Sequence, residues 1–329
     1  MTLITNWTKN KYFVALGAII SVALLCLLIF IIQYSRTPSP FPRNTIVTIP
    51  VGSTVDQAGL ILERAGIIRS HTAYRIYTIF IHDGSGIKAG SYLFDQPQSV
   101  LRVAFRTAYG VQDLTKIKVT VPEGSDSRNI TKLLSKAIPN FASSTFMTLA
   151  KQDEGYLFPD TYFFYQNTTP QQVIDGMYSN FDDQTAVLAT SSDAFSIKNH
   201  VSYDQIVTMA SIVEKEATSL ADRQIIAGIL WRRLADKYPL QVDPPFYYFL
   251  NKDSSQLTLA DLAIDSPYNL YKHKGLTPTP IDNPGFDALY ATVNPTVTKY
   301  WYYLSDSKGV MHYAITYDEH LANKAKYIN

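Results

Sequence analysis

At 329 residues, with 46% hydrophobic side chains, the chain has room for two domains and a real core beyond any anchor. Lys and Arg total 29 against 28 Asp and Glu, so no broad basic face is available to neutralise a phosphate backbone, which argues against nucleic acid as a partner. The single cysteine, Cys26, lies in an apolar run; this removes a disulfide framework and a thiolate metal site, and an exported domain would have to be held by packing alone.

A short tail, residues 1–11, carries Lys9 and Lys11 and leads into YFVALGAIISVALLCLLIFII at 12–32, uncharged over 21 positions. That is about the length a helix needs to cross a bilayer. Gln33, Tyr34, Ser35 and Arg36 follow instead of a small-residue cleavage site, so the pattern predicts an uncleaved signal anchor over 12–34. Basic residues on both flanks leave orientation open. The brevity of the tail favours a cytoplasmic amino terminus, a single pass through the cell membrane, and export of all that follows. SRTPSPFPRN, within 35–44, predicts an extended proline-rich spacer.

Two later segments echo each other. IPVGSTVDQAGLIL at 49–62 and VPEGSDSRNITKLL at 121–134 share an apolar residue, Pro, one variable position, Gly, Ser and a helical pattern ending in paired aliphatics. Each predicts a strand that stops at the Pro-x-Gly turn and a helix capped by the serine, Ser53 or Ser125. The echo suggests two small α+β units. The first covers 45–112, closed by IKAGSYLFD and the helix-like SVLRVAFRTAYG. Gly84, Ser85 and Gly86 read as a turn, since the Gly-Lys-Ser/Thr of a phosphate loop does not follow. From 113 to 329 helices are expected near 128–137, 143–151, 170–182, 203–217 and 222–236, then proline- and aromatic-rich loops, a hairpin turning at Ser307–Gly309 and a terminal helix over 317–328. The fold class is α+β.

The helix expected over 203–217 carries the chemistry. Ile206, Ala210, Val213 and Ala217 form one stripe, and Val207, Met209 and Ile212 widen it until little polar face remains. Glu214 and Glu216 flank the stripe on opposite sides while Lys215 points away. A carboxyl half buried among aliphatics is penalised in its charged form, so its pKa rises and a proton stays available near neutrality, as a general acid requires. The alternative is a pair of solvated glutamates at a fraying helix end, pairing with Lys215 or Arg223. The 23 Tyr, 16 Phe and 3 Trp suit stacking on sugar rings, or else a tyrosine-rich core. No His-Glu-x-x-His pair and no Gly-x-Ser-x-Gly elbow occurs, so the six histidines are taken as structural and no metal or cofactor is called for.

Five motifs in order resemble the endolytic murein transglycosylase family (MltG, YceG-like): IKAGSYLF at 87–94, where that family has a LysM-like module, EGYLFPDTYFF at 154–164, MASIVEKEA at 209–217, LQVDPPFYY at 240–248 and SPYNLYKHKGLTPTPI at 266–281. The family's usual GLPPGPI reads GLTPTPI here. The resemblance implies a LysM-like domain over 45–112 and a lytic-transglycosylase-like catalytic domain over 113–329. It also implies peptidoglycan glycan strands as substrate, and wall-synthesis proteins at the same membrane as partners. A glutamate of the EKE segment would cleave between N-acetylmuramic acid and N-acetylglucosamine, leaving 1,6-anhydro ends. Glu216 is favoured because lytic transglycosylases place the acid on a helix before a small residue, here Ala217; Glu214 is the second candidate. Candidate sugar contacts are Glu154, Tyr162, Gln241, Asp243, Tyr268, Asn269 and Tyr271. Of these, Tyr162 also suits the core, Asp243 a turn before Pro244, and Asn269 either an acetamido contact or support of its own loop. Two rival readings keep the glycan: hydrolysis with water as acceptor, and a non-catalytic glycan-binding protein that positions a synthase.

Overall fold

The computed structural model describes residues 2–81 and 86–328, side chains excepted at 2–13, 27, 28, 30–32 and 254. Gly84 and Ser85 of the expected turn lie outside the described residues. Contacts divide the chain into two compact units, Met1–Thr115 and Lys116–Asn329.

In the first unit, helix α1 spans Thr2–Ser35 and contains the uncharged run. Among the described residues no helix is long and apolar enough to cross a membrane. Positions 12, 13, 27, 28 and 30–32 of the run lack described side chains, so the anchor stays an expectation of the sequence. Strand β1 (Thr45–Ile49), helices α2 (Val55–Arg64) and α3 (His71–Ile81), strand β2 (Gly90–Phe94) and helix α4 (Val100–Tyr109) follow. The strands pair antiparallel, Thr45 opposite Phe94 and Ile49 opposite Gly90, which makes a β-α-α-β arrangement. Val47, Ile49, Leu62, Ile67, Tyr74, Tyr92, Phe94 and Val103 fill its core.

The second unit begins with β3 (Ile117–Thr120), α5 (Ser127–Ala137), α6 (Ser143–Ala150), β4 (Thr161–Phe164) and α7 (Pro170–Thr185). β3 and β4 pair antiparallel. Their inner side chains, Val119 and Phe164, meet Ile130, Leu134, Phe146 and Val173 in one apolar cluster. Helices α8 (Ala189–Asn199), α9 (Tyr203–Glu216) and α10 (Leu220–Ala235) come next, then α11 (Pro244–Leu250), α12 (Leu259–Leu262), α13 (Phe286–Val293), the antiparallel pair β5 (Tyr302–Ser305) and β6 (Met311–Ala314), and α14 (Tyr317–Tyr327). The unit is mixed α and β. Helix α9 lies at its centre: every residue from Ile206 to Val213 is buried, as a helix apolar on nearly all sides must be.

Two expectations need correction. The serines of the repeated Pro-x-Gly-Ser segments do not cap their helices. Ser53 and Ser125 each donate backwards, to the carbonyls of Pro50 (2.8 Å) and Pro122 (2.7 Å), and tighten the turn. The next residue takes the cap: Thr54 forms a capping box with Gln57, and Asp126 accepts from the Asn129 amide at 2.8 Å. A hydroxyl committed to the turn cannot also serve the helix. Second, α11 falls in a stretch read as a loop, and α13 begins directly after another, where no helix was expected. Pro244 and Pro245 occupy the first positions of α11, where the missing N–H costs nothing and the fixed φ suits the helix.

Candidate active site

Helix α9 starts with a capping box between Ser202 and Gln205 and stops abruptly at Glu216, where Ala217 turns extended at φ −152°. Its last turn therefore brings Lys215 to the unit's surface, with Glu214 and Glu216 partly covered on either side, while the preceding turns are sealed in the core. The chain then reverses into α10, and Arg223 on that helix reaches back. Its Nε donates to the Ala217 carbonyl at 2.9 Å and its Nη2 to Glu214 Oε1 at 2.6 Å. The other Glu214 oxygen accepts the Gly285 amide at 3.0 Å. Both side chains of this ion pair are 6% exposed. Burial pushes the Glu214 carboxyl up to about 7, against the pull of the Arg223 guanidinium and the Gly285 N–H.

Glu216 is placed differently. Half-buried, it lines a cleft of about 630 Å³ together with Gln241, Asp243, Tyr271, Tyr303 and Arg233. Burial pushes its carboxyl up to about 7 and the Asp243 carboxylate adds to the rise, while the Tyr303 hydroxyl and the Arg233 guanidinium pull it back. The Tyr303 hydroxyl is itself buried and completes no hydrogen bond of normal geometry among the described residues; burial, then the negative charge of Glu216, push it well above the ordinary phenol range. Both glutamates are pushed to the same value, so acidity does not separate them. Their partners do: Glu214 spends both oxygens on Arg223 and Gly285, whereas Glu216, among the described residues, has only the Tyr303 hydroxyl beside it and faces the cleft.

The cleft walls are fixed by backbone and by other side chains. Tyr271 donates its hydroxyl to Asp243 Oδ1 at 2.6 Å. Gln241 takes a left-handed backbone, φ +52°, with its amide on the Leu270 carbonyl at 3.1 Å; a non-glycine residue in that region is a local cost held in place by its surroundings. Arg233 is 4% exposed and clamped on the carbonyls of Leu240 and Trp301. Lys215 does not point away, contrary to expectation. It borders this cleft, a second cavity of about 220 Å³ beyond Asp243, and a third of about 150 Å³ beside Glu214.

Of the residues singled out from the sequence, Glu216, Gln241, Asp243 and Tyr271 meet around one cleft. The others are placed elsewhere. Glu154 is 3% exposed and accepts from the Ser127 amide (3.0 Å), the Ser127 hydroxyl (2.8 Å) and Asn283 Nδ2 (3.0 Å). Burial raises its carboxyl to about 7. It ties the loop before β4 to the start of α5 and lines none of the three cavities around Glu214, Lys215 and Glu216. Tyr162 on β4 donates to the Phe158 carbonyl at 2.6 Å and packs on Phe164. Tyr268 bonds the Thr279 hydroxyl at 2.9 Å. Asn269 is 0% exposed; its amide donates to the carbonyls of Leu262 and Ile264 and its oxygen accepts from the Tyr271 amide. An acetamido contact from Asn269 is thereby replaced by support of its own loop. That support sets Tyr271 against Asp243.

Sequence reasoning passed over Arg233, Tyr303 and above all Asn283, and it offered Arg223 only as a partner of solvated glutamates. Fully buried, Asn283 accepts the amides of Gly155 and Leu157, both at 2.9 Å, and donates to the Ser125 carbonyl and Glu154. Gly155 sits at φ +95°, and a Cβ there would come within 2.5 Å of Pro280. These contacts explain why EGYLFPDTY and TPTPIDNPG travel together: one loop closes on the other beneath α9. The Ile281 amide on Ser211 Oγ, 3.0 Å, joins both to that helix.

The sequence profile described as the YceG-like family matches residues 47–326. The chain belongs to that family. It is 32% identical over 310 residues to the endolytic murein transglycosylase of Bacillus subtilis strain 168, covering 86% of this chain and 84% of the relative. With the protein of the same name from Streptococcus pneumoniae R6 the identity is 29% over 329 residues, covering 87% of this chain but 59% of the relative, which is therefore considerably longer. Among solved structures, a yceG-like protein of Listeria monocytogenes aligns with a TM-score of 0.56 at 28% identity, covering 85% of this chain and 99% of its own. The resemblance first seen in the motifs thus extends over most of this YceG-like chain.

Proposed function

We propose that the protein is an endolytic lytic transglycosylase of peptidoglycan and that Glu216 is its one acid–base residue. The observation that carries this reading is the half-buried Glu216 carboxyl, held in no ion pair among the described residues, at a helix end and opening onto a cleft that Asp243, Tyr271 and Gln241 line. An ordinary glycosidase sets two carboxyl groups across the scissile bond. Here the second glutamate of the segment is already bound by Arg223 and Gly285, and Asp243, the other carboxyl of the cleft, accepts the Tyr271 hydroxyl, which favours a mechanism that needs one. In that mechanism the Glu216 proton passes to the oxygen between N-acetylmuramic acid and N-acetylglucosamine, and the C1–O bond breaks. The Glu216 carboxylate then takes the proton of the muramic acid C6 hydroxyl as that oxygen bonds C1, closing the 1,6-anhydro ring and restoring the acid. The nucleophile belongs to the same sugar, so attack gains from proximity and no water is required. Asp243 favours the protonated starting state, and the Tyr303 hydroxyl is positioned to steady the carboxylate that follows.

Residues 12–34 would anchor the protein in the cell membrane as a single pass with the amino terminus cytoplasmic. The β-α-α-β unit would serve as a LysM-like module on an exported proline-rich spacer, with wall-synthesis proteins as neighbours. The uncharged run supports the first and the strand–helix order the second. The test is to incubate the full chain, in detergent, with purified sacculi and to weigh the products. Glu216→Gln should release no anhydro-ended fragments, and products with reducing ends from the wild type would replace transglycosylation by hydrolysis.

A further inference from the structure

Beyond Asp243 the cleft branches. The 220 Å³ side cavity shares Lys215, Asp243 and Pro244 with the Glu216 cleft and is floored by Asp282. Asp282 is 1% exposed, and neither of its carboxyl oxygens has a hydrogen-bond partner among the described residues. The cation facing it, Lys215 Nζ, stands 4.0 Å away and is itself 36% exposed. A carboxyl stripped of water and left unsatisfied is costly, and such a group in a fold is explained when a ligand completes it.

We infer that this side cavity is a subsite for the peptide that branches from a muramic acid, with Asp282 bonding a peptide N–H and Lys215 facing the peptide's carboxylates. The inference rests on the glycan-strand reading of the adjoining cleft. Three observations select a peptide. The cavity adjoins the main cleft through Lys215, Asp243 and Pro244, and a substituent lies beside the strand it branches from. Its volume gives room to several water-sized groups, more than one acetamido group fills. Its floor offers an acceptor and its rim a cation, the pair that an amide chain bearing carboxylates requires. Burial pushes the Asp282 carboxyl well above the usual carboxylate range, with Lys215 opposing and Glu214, Glu154 and Asp126 reinforcing. In its protonated form it both accepts an N–H and donates to a peptide carbonyl.

Affinity separates this subsite from the chemistry. Full-length Glu216→Gln protein, which leaves strands uncut, is titrated with uncross-linked glycan strands bearing peptides and with the same strands stripped of peptide by an amidase. The expected ratio of Kd values is about tenfold in favour of the peptide-bearing strands, the worth of one or two buried hydrogen bonds. Adding Asp282→Leu should bring the two within about twofold, while Asp282→Asn, which keeps an acceptor and a donor, should preserve the preference. Because the Asp282 oxygens hold no hydrogen bond among the described residues and the cation 4.0 Å away, Lys215, is 36% exposed, the leucine variant should melt no lower than its parent, which distinguishes a lost ligand contact from a lost structural one. Equal affinities before Asp282 is changed, or a preference that survives Asp282→Leu, overturn the subsite. Failure of the glycan-cleavage reading is seen separately, as absence of anhydro ends when wild-type protein meets the same strands.

Discussion

Glu216→Gln should abolish cleavage and also make the protein more stable, by an amount that depends on pH. The wild-type carboxyl is held at about 7 in the folded chain against 4.5 when unfolded. A carboxyl raised on folding resists ionisation, so it carries no penalty below the unfolded value. The penalty grows as pH climbs from there and is complete above the folded value. A carboxyl at about 7 in the folded chain and 4.5 in the unfolded one corresponds to a penalty of roughly 3 kcal/mol at pH 8. Glutamine keeps the shape and cannot ionise, so it escapes the penalty. Denaturant unfolding of the full chain in detergent, followed by tryptophan fluorescence, should give near-equal stabilities for wild type and Glu216→Gln at pH 4.5 and a clear advantage for the variant at pH 8. Equal stabilities at both pH values would mean that Glu216 is not held protonated by its surroundings, and the acid assigned to the cleft would lose its physical basis.

Wild-type cleavage should fall about tenfold between pH 6 and pH 8, since an acid with a pKa near 7 passes from mostly protonated to mostly ionised across that window. Asp243→Asn, by removing the neighbouring negative charge, should move this falling limb toward lower pH, and a limb that stays in place would rule out their coupling. Arg223→Met should destabilise by about 3 kcal/mol or more by leaving Glu214 buried without its cation, and Arg223→Met with Glu214→Gln should recover much of the loss in denaturant midpoint. Asn283→Ala breaks four buried side-chain hydrogen bonds and should cost about 3 kcal/mol or more, read from the same unfolding curves; a loss below about 1 kcal/mol would show that the two loops hold together without it.

What the sequence determined by itself was periodic or local. The apolar positions of 203–217 repeat at helical spacing, so a buried α9 with carboxylates at its last turn follows from the order of residues alone. The hairpin at Ser307–Gly309, the terminal helix and the five motifs were legible for the same reason: each is written in consecutive residues. α11 and α13 were not, because Pro244, Pro245 and Gly285 are equally at home in loops and at helix starts, and only packing chooses. Which glutamate stays free was likewise beyond the sequence. Glu214 and Glu216 stand two residues apart and share a pKa of about 7, and they part company through Arg223, nine positions on, and Gly285, more than seventy positions on. Charge partners, buried hydrogen bonds and the walls of a cleft join residues remote in the chain, and such pairings exist only once the chain has closed on itself.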